Sequence, residues 1–207
     1  MSKIKVKALL GAAFALTLQG VVCSQNATAD NTHTPLQLSQ LDAKCNNGGP
    51  ASAAFMNVHG RQVLDLKAQG ITGTDGEALA RVNVGGRGII FQRIEIGYTG
   101  VCQSSLGFFE AAISFTPPGS SVSQGISFRC PDMQVPGLPG LLIITPATIA
   151  AVTGEGSIPA GSTLDGINLN VQGTTATLQE GFISSVKVNN IKVGFDHTAP
   201  AVFCTPD

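Results

Sequence analysis

The chain contains no tryptophan and a single tyrosine, Tyr98. The exposed aromatic platforms on which many binding surfaces stack their ligands are therefore scarce. Charge is scarce as well: Asp, Glu, Lys and Arg make up 12% of the residues, about half the usual globular share. Low charge combined with 43% hydrophobic residues excludes intrinsic disorder, which needs the opposite balance. No Lys or Arg occurs between Arg129 and Lys187. A nucleic-acid binder needs a positive footprint to displace counterions, so the sequence excludes nucleic acid as a partner.

The motifs of known catalytic mechanics are missing too. There is no G-x-S-x-G elbow, no H-E-x-x-H zinc helix and no G-x-x-x-x-G-K-[ST] phosphate loop. "NVGGRG" lacks the G-x-G-x-x-G spacing and reads as a hairpin turn. Of the three histidines, His33 lies close to the start of the expected mature chain. A Ser-His-Asp arrangement therefore falls to His59 or His197. Asp196 stands next to His197 in sequence, too close to orient it easily, and a solvated loop is the default for both. Asp75, Glu77, Glu155, Asp165 and Glu180 match no calcium-loop spacing, and Asp-Gly pairs are ordinarily turn formers. No metal and no cofactor are expected.

Residues 133–154, "MQVPGLPGLLIITPATIAAVTG", form an uncharged run of 22 residues. Three prolines and two internal glycines before Gly154 would leave backbone groups unpaired in lipid, which argues against a membrane span. Thr145 as cap, Pro146 in the first turn and Gly154 as stop predict instead a short helix near 146–152 behind a loop.

Among the features present, the N-terminus is the plainest. Lys3, Lys5 and Lys7, then the apolar "ALLGAAFALTLQGVV", then "ATA" at 27–29 make up the three parts of a secretory signal. Cleavage between Ala29 and Asp30 is expected. Lipid attachment at Cys23 is the less favoured route, because bulky Val22 precedes it where that processing wants a small residue. Three of the 12 basic residues leave with the signal, so nine remain against 13 acidic ones and the formal charge becomes −4.

Four cysteines remain: Cys45, Cys102, Cys130 and Cys204. An even number in an exported protein reads as a disulfide framework, and none of the close pairs that zinc sites use is present. Four cysteines allow three pairings. Cys102 and Cys130 bracket a segment that reads as a hairpin turning near "TPPG" and lie almost equally far from that turn. Cys102–Cys130 is therefore preferred, with Cys45–Cys204 fastening the start of the domain to its end.

Period-2 alternation recurs along the chain. Ile90, Ile94, Ile96 and Tyr98 share one face of a strand, as do Phe109, Ala111, Ile113 and Phe115, and Ile167, Leu169 and Val171. In "VKVNNIKVGF" the parity flips at Asn189-Asn190, which predicts a tight hairpin or a bulge. Phe108 is out of phase with its strand, since neighbouring strand residues face opposite sides. It is the candidate apolar contact residue.

The expected fold is mainly β: an antiparallel β-sandwich, or a partly open barrel, with one short helix near 146–152 and two disulfides. Residues 1–29 form the cleaved signal, 30–44 a leading segment, and 45–207 a single β-rich domain. The favoured function is an exported, periplasmic or extracellular, non-enzymatic binding or surface-structural protein with a protein or surface-ligand partner. The alternatives are a secreted hydrolase using His59 or His197, and a membrane-interacting protein using 133–154. The sequence permits a homo-oligomer or strand addition at an edge and requires neither.

Overall fold

The structure, a computed structural model, describes residues 35–46, 49–70, 75–100, 102, 107–174 and 177–205. The signal segment with its cleavage site, Cys23, His33 and Asn47-Gly48, an Asn-Gly pair that reads as a turn in "CNNGG", lie outside the described residues.

The strands are β1 (Gln37–Asn46), β2 (Ala51–Val58), β3 (Arg61–Ala68), β4 (Asp75–Asn83), β5 (Ile94–Gly100), β6 (Gly107–Thr116), β7 (Gln124–Arg129), β8 (Leu141–Ile144), β9 (Thr163–Gly173), β10 (Gln179–Val188), β11 (Ile191–Lys192), β12 (Gly194–Phe195) and β13 (Val202–Cys204). One helical turn, α1 (Cys130–Met133), follows β7. The first sheet runs in the order β12-β1-β4-β9-β6-β7. The second runs β13-β2-β3-β10-β5-β8, with β11 added to β10. All pairings between named strands are antiparallel except β1 with β12.

Alternation builds the sandwich. In the first sheet Ala78, Ala80 and Val82 of β4, Ile167, Leu169 and Val171 of β9, and Phe109, Ala111, Ile113 and Phe115 of β6 are all buried. They share one core with Leu64, Leu66, Ile94, Ile96, Ile183 and Val186 of the second sheet. Side chains two residues apart point the same way, so each strand gives one face to this core and the other to the outside. Two hairpins of the second sheet turn in two residues with positive φ. These are His59 (50°) and Gly60 (76°) between β2 and β3, and Asn189 (48°) and Asn190 (68°) between β10 and β11. Positive φ at both central positions matches the twist of the flanking strands.

Each disulfide joins the two sheets. Cys45 on β1 is bonded to Cys204 on β13, with Cα atoms 5.6 Å apart. Cys102, just beyond β5, is bonded to Cys130 at the end of β7, with Cα atoms 5.1 Å apart.

Four local expectations are corrected. No helix forms at 146–152. Thr148 N–H donates to Thr145 O at 2.9 Å, closing a turn, and Ala150 then bridges to Gly156. The Thr145 hydroxyl, the expected cap, accepts from Ala147 N–H at 3.3 Å, and the Thr148 hydroxyl accepts from Thr145 N–H at 2.9 Å, so both close that single turn. Ile90 is 47% exposed while Phe91 is 1% exposed, because the strand begins only at Ile94. "NVGGRG" is no hairpin: it carries the chain from β4 in the first sheet across to β5 in the second. Asp165-Gly166 lies inside β9 at a register shift, where Asp165 Oδ2 accepts hydrogen bonds from Thr116 at 2.8 Å and Ser123 at 2.7 Å.

Candidate functional site

The outer face of the second sheet sets exposed apolar side chains next to organised charge. Pairing across β13, β2, β3 and β10 sets Phe203, Ser52, Lys67 and Glu180 in one row. The next row holds Ala54, Asp65, Phe182 and Thr99. Lys67 Nζ bridges Asp65 Oδ2 and Glu180 Oε1, each at 2.8 Å. Asp65 is 5% exposed, and burial lifts its carboxyl above the ordinary carboxylate range despite the lysine. The two carboxylates raise the Lys67 ammonium in turn, chiefly through the bond to Asp65.

Phe203 ends the row 73% exposed, and Leu178 nearby is 52% exposed. Between them lies a cleft of about 190 Å³, walled also by Pro50 and floored by Ser52 and Lys67. The cause is topological. β13 is last in its sheet and three residues long, so among the described residues no further strand packs against the Phe203 ring.

A second concavity, of about 680 Å³, lies where residues 134–142 curl past the end of β5. Tyr98 lines it but offers no platform. Its ring is 5% exposed and stacks on Phe109 across the sandwich, centroids 4.4 Å apart. Gly181 makes room for that ring, since a Cβ there would stand 2.9 Å from Tyr98 Cε2. Burial pushes the phenol up to about 12. Leu138, Ile149 and Val152 of the uncharged run are exposed. Among the described residues no helix is long and apolar enough to cross a membrane.

The histidines stand apart from this chemistry. His59 is an exposed turn residue with positive φ. His197 is exposed and meets Phe55 edge-on, centroids 5.9 Å apart. Its neighbour Asp196 accepts instead from the Thr198 hydroxyl at 2.6 Å and the Thr198 amide at 3.0 Å. Those bonds hold the Asp196 carboxyl below its usual range, the hydroxyl foremost. Among the described residues no group of three His, Cys, Asp or Glu side chains is arranged to hold a metal. Phe108 lies on the outer face of the first sheet, half-buried, with the Arg129 guanidinium 4.1 Å above its ring.

No protein-family model matches the chain, and no curated protein matches it. Among solved structures it is similar to the family 11 carbohydrate-binding module of a cellulosomal cellulase of Clostridium thermocellum. The TM-score is 0.37 at 12% identity, over 76% of this chain and 90% of that one. At that level nothing of the module's binding transfers to this chain. The two disulfides are compatible with an extracellular location.

Sequence reading passed over Phe203 and Leu178. A three-residue strand is too short for alternation to register, and "VFC" gives no sign that its sheet ends there. Sequence reading passed over Asp65 and Lys67 too: the alternation in "VLDLKA" could have marked them as outward, but their bridge to Glu180 comes from pairing across more than a hundred residues of chain.

Proposed function

We propose that the protein is an exported, non-enzymatic binding or surface-structural module that meets a protein partner through the outer face of its second sheet. The observation that carries this reading is Phe203, a large aromatic ring 73% exposed beside an apolar cleft and a half-buried charge bridge. An aromatic anchor next to a recess, with charge close by, is the composition of an interface centre. Phe203 is preferred to Phe108 as the anchor because the Phe108 ring is already capped by Arg129. The turn geometry of His59 and the packing of His197 on Phe55 favour binding over hydrolysis. In this reading the signal is removed between Ala29 and Asp30 and the four remaining cysteines are oxidised in pairs.

Titration of the purified, oxidised protein onto surface fractions of its host tests the proposal. Saturable binding is expected. Phe203→Ser should weaken it by roughly tenfold or more, as loss of a hot-spot aromatic does, while His59→Ala and His197→Ala leave it intact. Binding indifferent to Phe203→Ser removes this surface from consideration, and a hydrolytic activity lost with either histidine reverses the reading. The intact mass of the native protein checks export. A chain starting at Asp30, with thiols appearing only after reduction, is expected; an acylated chain starting at Cys23 contradicts it.

A further inference from the structure

β7 is last in the first sheet, so among the described residues one side of its backbone has no strand beside it. At its middle, Ser127 pairs with Ala112 of β6 but turns its own main-chain groups the other way. Both are taken by side chains of the loop 150–156. Ser127 N–H donates to Glu155 Oε2, and the Thr153 hydroxyl donates to Ser127 O at 2.9 Å. Two residues on, Arg129 N–H donates to Asp132 Oδ2 at 3.1 Å. The other oxygen of Asp132 accepts from Val152 N–H at 3.0 Å, stitching the loop to α1.

The loop is a closed unit. Ala150 N–H donates to Gly156 O at 2.6 Å and Gly154 N–H to Ala150 O at 2.9 Å. Its base is held by Ala150 and Ile158, each 0% exposed. One acceptor and one donor presented to the same residue are what the next antiparallel strand would supply from its backbone. Here two side chains stand in for that strand. Unpaired edges invite pairing with another chain, and covering them is a known protection.

We propose that loop 150–156 is a guard over a self-complementary edge, and that β7 freed of it pairs antiparallel with β7 of a second copy about a two-fold axis through Ser127. The occupant is a second copy because the edge matches itself. On the axis each Ser127 N–H meets the other Ser127 O, giving a reciprocal pair of bonds. This register sets Gly125 opposite the second copy's Arg129. A side chain added at Gly125 would meet nothing within 4 Å, so that position has room beside the second copy's Arg129, whose guanidinium stays over its own Phe108. The edge residues facing the core, Ile126 and Phe128, stay buried in both states.

Sedimentation of the oxidised protein over a concentration series tests this, with wild type beside Thr153→Ala/Glu155→Ala. Wild type is expected to stay monomeric, and the double variant to approach twofold higher mass. In the dilute, monomeric double variant the Ser127 amide should exchange at least about tenfold faster than in wild type. Adding Gly125→Pro, which removes an outward N–H from the edge, should return the double variant to monomer. The inference is overturned if the double variant keeps wild-type mass throughout, if wild type already has the doubled mass, or if Gly125→Pro leaves the dimer intact. Should the double variant fail to fold, Thr153→Val removes the hydroxyl that donates to Ser127 O and to Ala150 O while keeping Glu155, and the same mass series decides on it.

Discussion

At the scale of single residues, Asn189 does more than its turn requires. Its positive φ of 48° makes the β10–β11 hairpin. Its side chain also clamps the chain at residues 90–93: Oδ1 accepts from Gln92 N–H and Arg93 N–H, both at 3.0 Å, and Nδ2 donates to Ile90 O at 2.6 Å. Asn189→Gly keeps the turn geometry and removes the clamp, so it separates the two roles. These bonds are solvent-accessible and water replaces part of each. A loss of about 1–2 kcal/mol is expected, with Asn189→Asp losing less because both acceptor bonds survive. Urea midpoints of the three proteins check the order, and a Gly variant as stable as wild type would remove the clamp from the account. The turn was legible from the parity flip at Asn189-Asn190. The clamp was not, because its partners lie about a hundred positions away and nothing in "VNNIK" marks them.

Among elements, strands were legible where apolar residues alternate over five or more positions, as in "FEAAISF" and "GINLNVQ". Such a run has only one way to bury its apolar face. The failures share a cause. Thr145, Pro146 and Gly154 are sound helix signals, but the residues between them are few and rich in β-branched side chains, and Ala150 is needed for the bridge to Gly156. Asp165-Gly166 is an equally sound turn signal, overruled by pairing on both sides of β9. Strand order was not legible, because periodicity states which face is buried and not which neighbour is paired. Short β13 shows the consequence for stability: it has three pairs with β2, and the Cys45–Cys204 bond ties it to β1 in the opposite sheet. That bond spans 159 residues and Cys102–Cys130 spans 28. In the chain-entropy model their removal costs about 5 and about 3.5 kcal/mol respectively. Cys45→Ser/Cys204→Ser should therefore lower the urea midpoint more than Cys102→Ser/Cys130→Ser. It should also release the amides of Val202, Phe203 and Cys204 to fast exchange, which the other pair should not. The reverse order of midpoints would mean that loop length is not what these bonds act through.

For the whole molecule, a ring contact between the two sheets has a pH signature. Tyr98 of β5 stacks on Phe109 of β6, and burial pushes its phenol from 10.0 up to about 12. An acid raised on folding ionises first in the unfolded chain, so the unfolded state gains as pH climbs past 10. Stability is whole below that value, falls between pH 10 and about 12, and levels off above, for a total loss of about 3 kcal/mol. Lys67 contributes in the same direction. Its ammonium is raised by Asp65 and Glu180, so the bridge across the second sheet is lost as pH rises through its folded value. Tyr98→Phe keeps the ring stack and removes only the phenol, so the difference between its alkaline stability curve and that of wild type isolates Tyr98. The chain has one tyrosine and no tryptophan, which makes tyrosinate absorbance report this single group. Native protein should titrate near 12 and denatured protein near 10. Coincident titrations would show that the ring is reached by water in the folded state, and that the sandwich at this point is looser than a 4.4 Å stack requires.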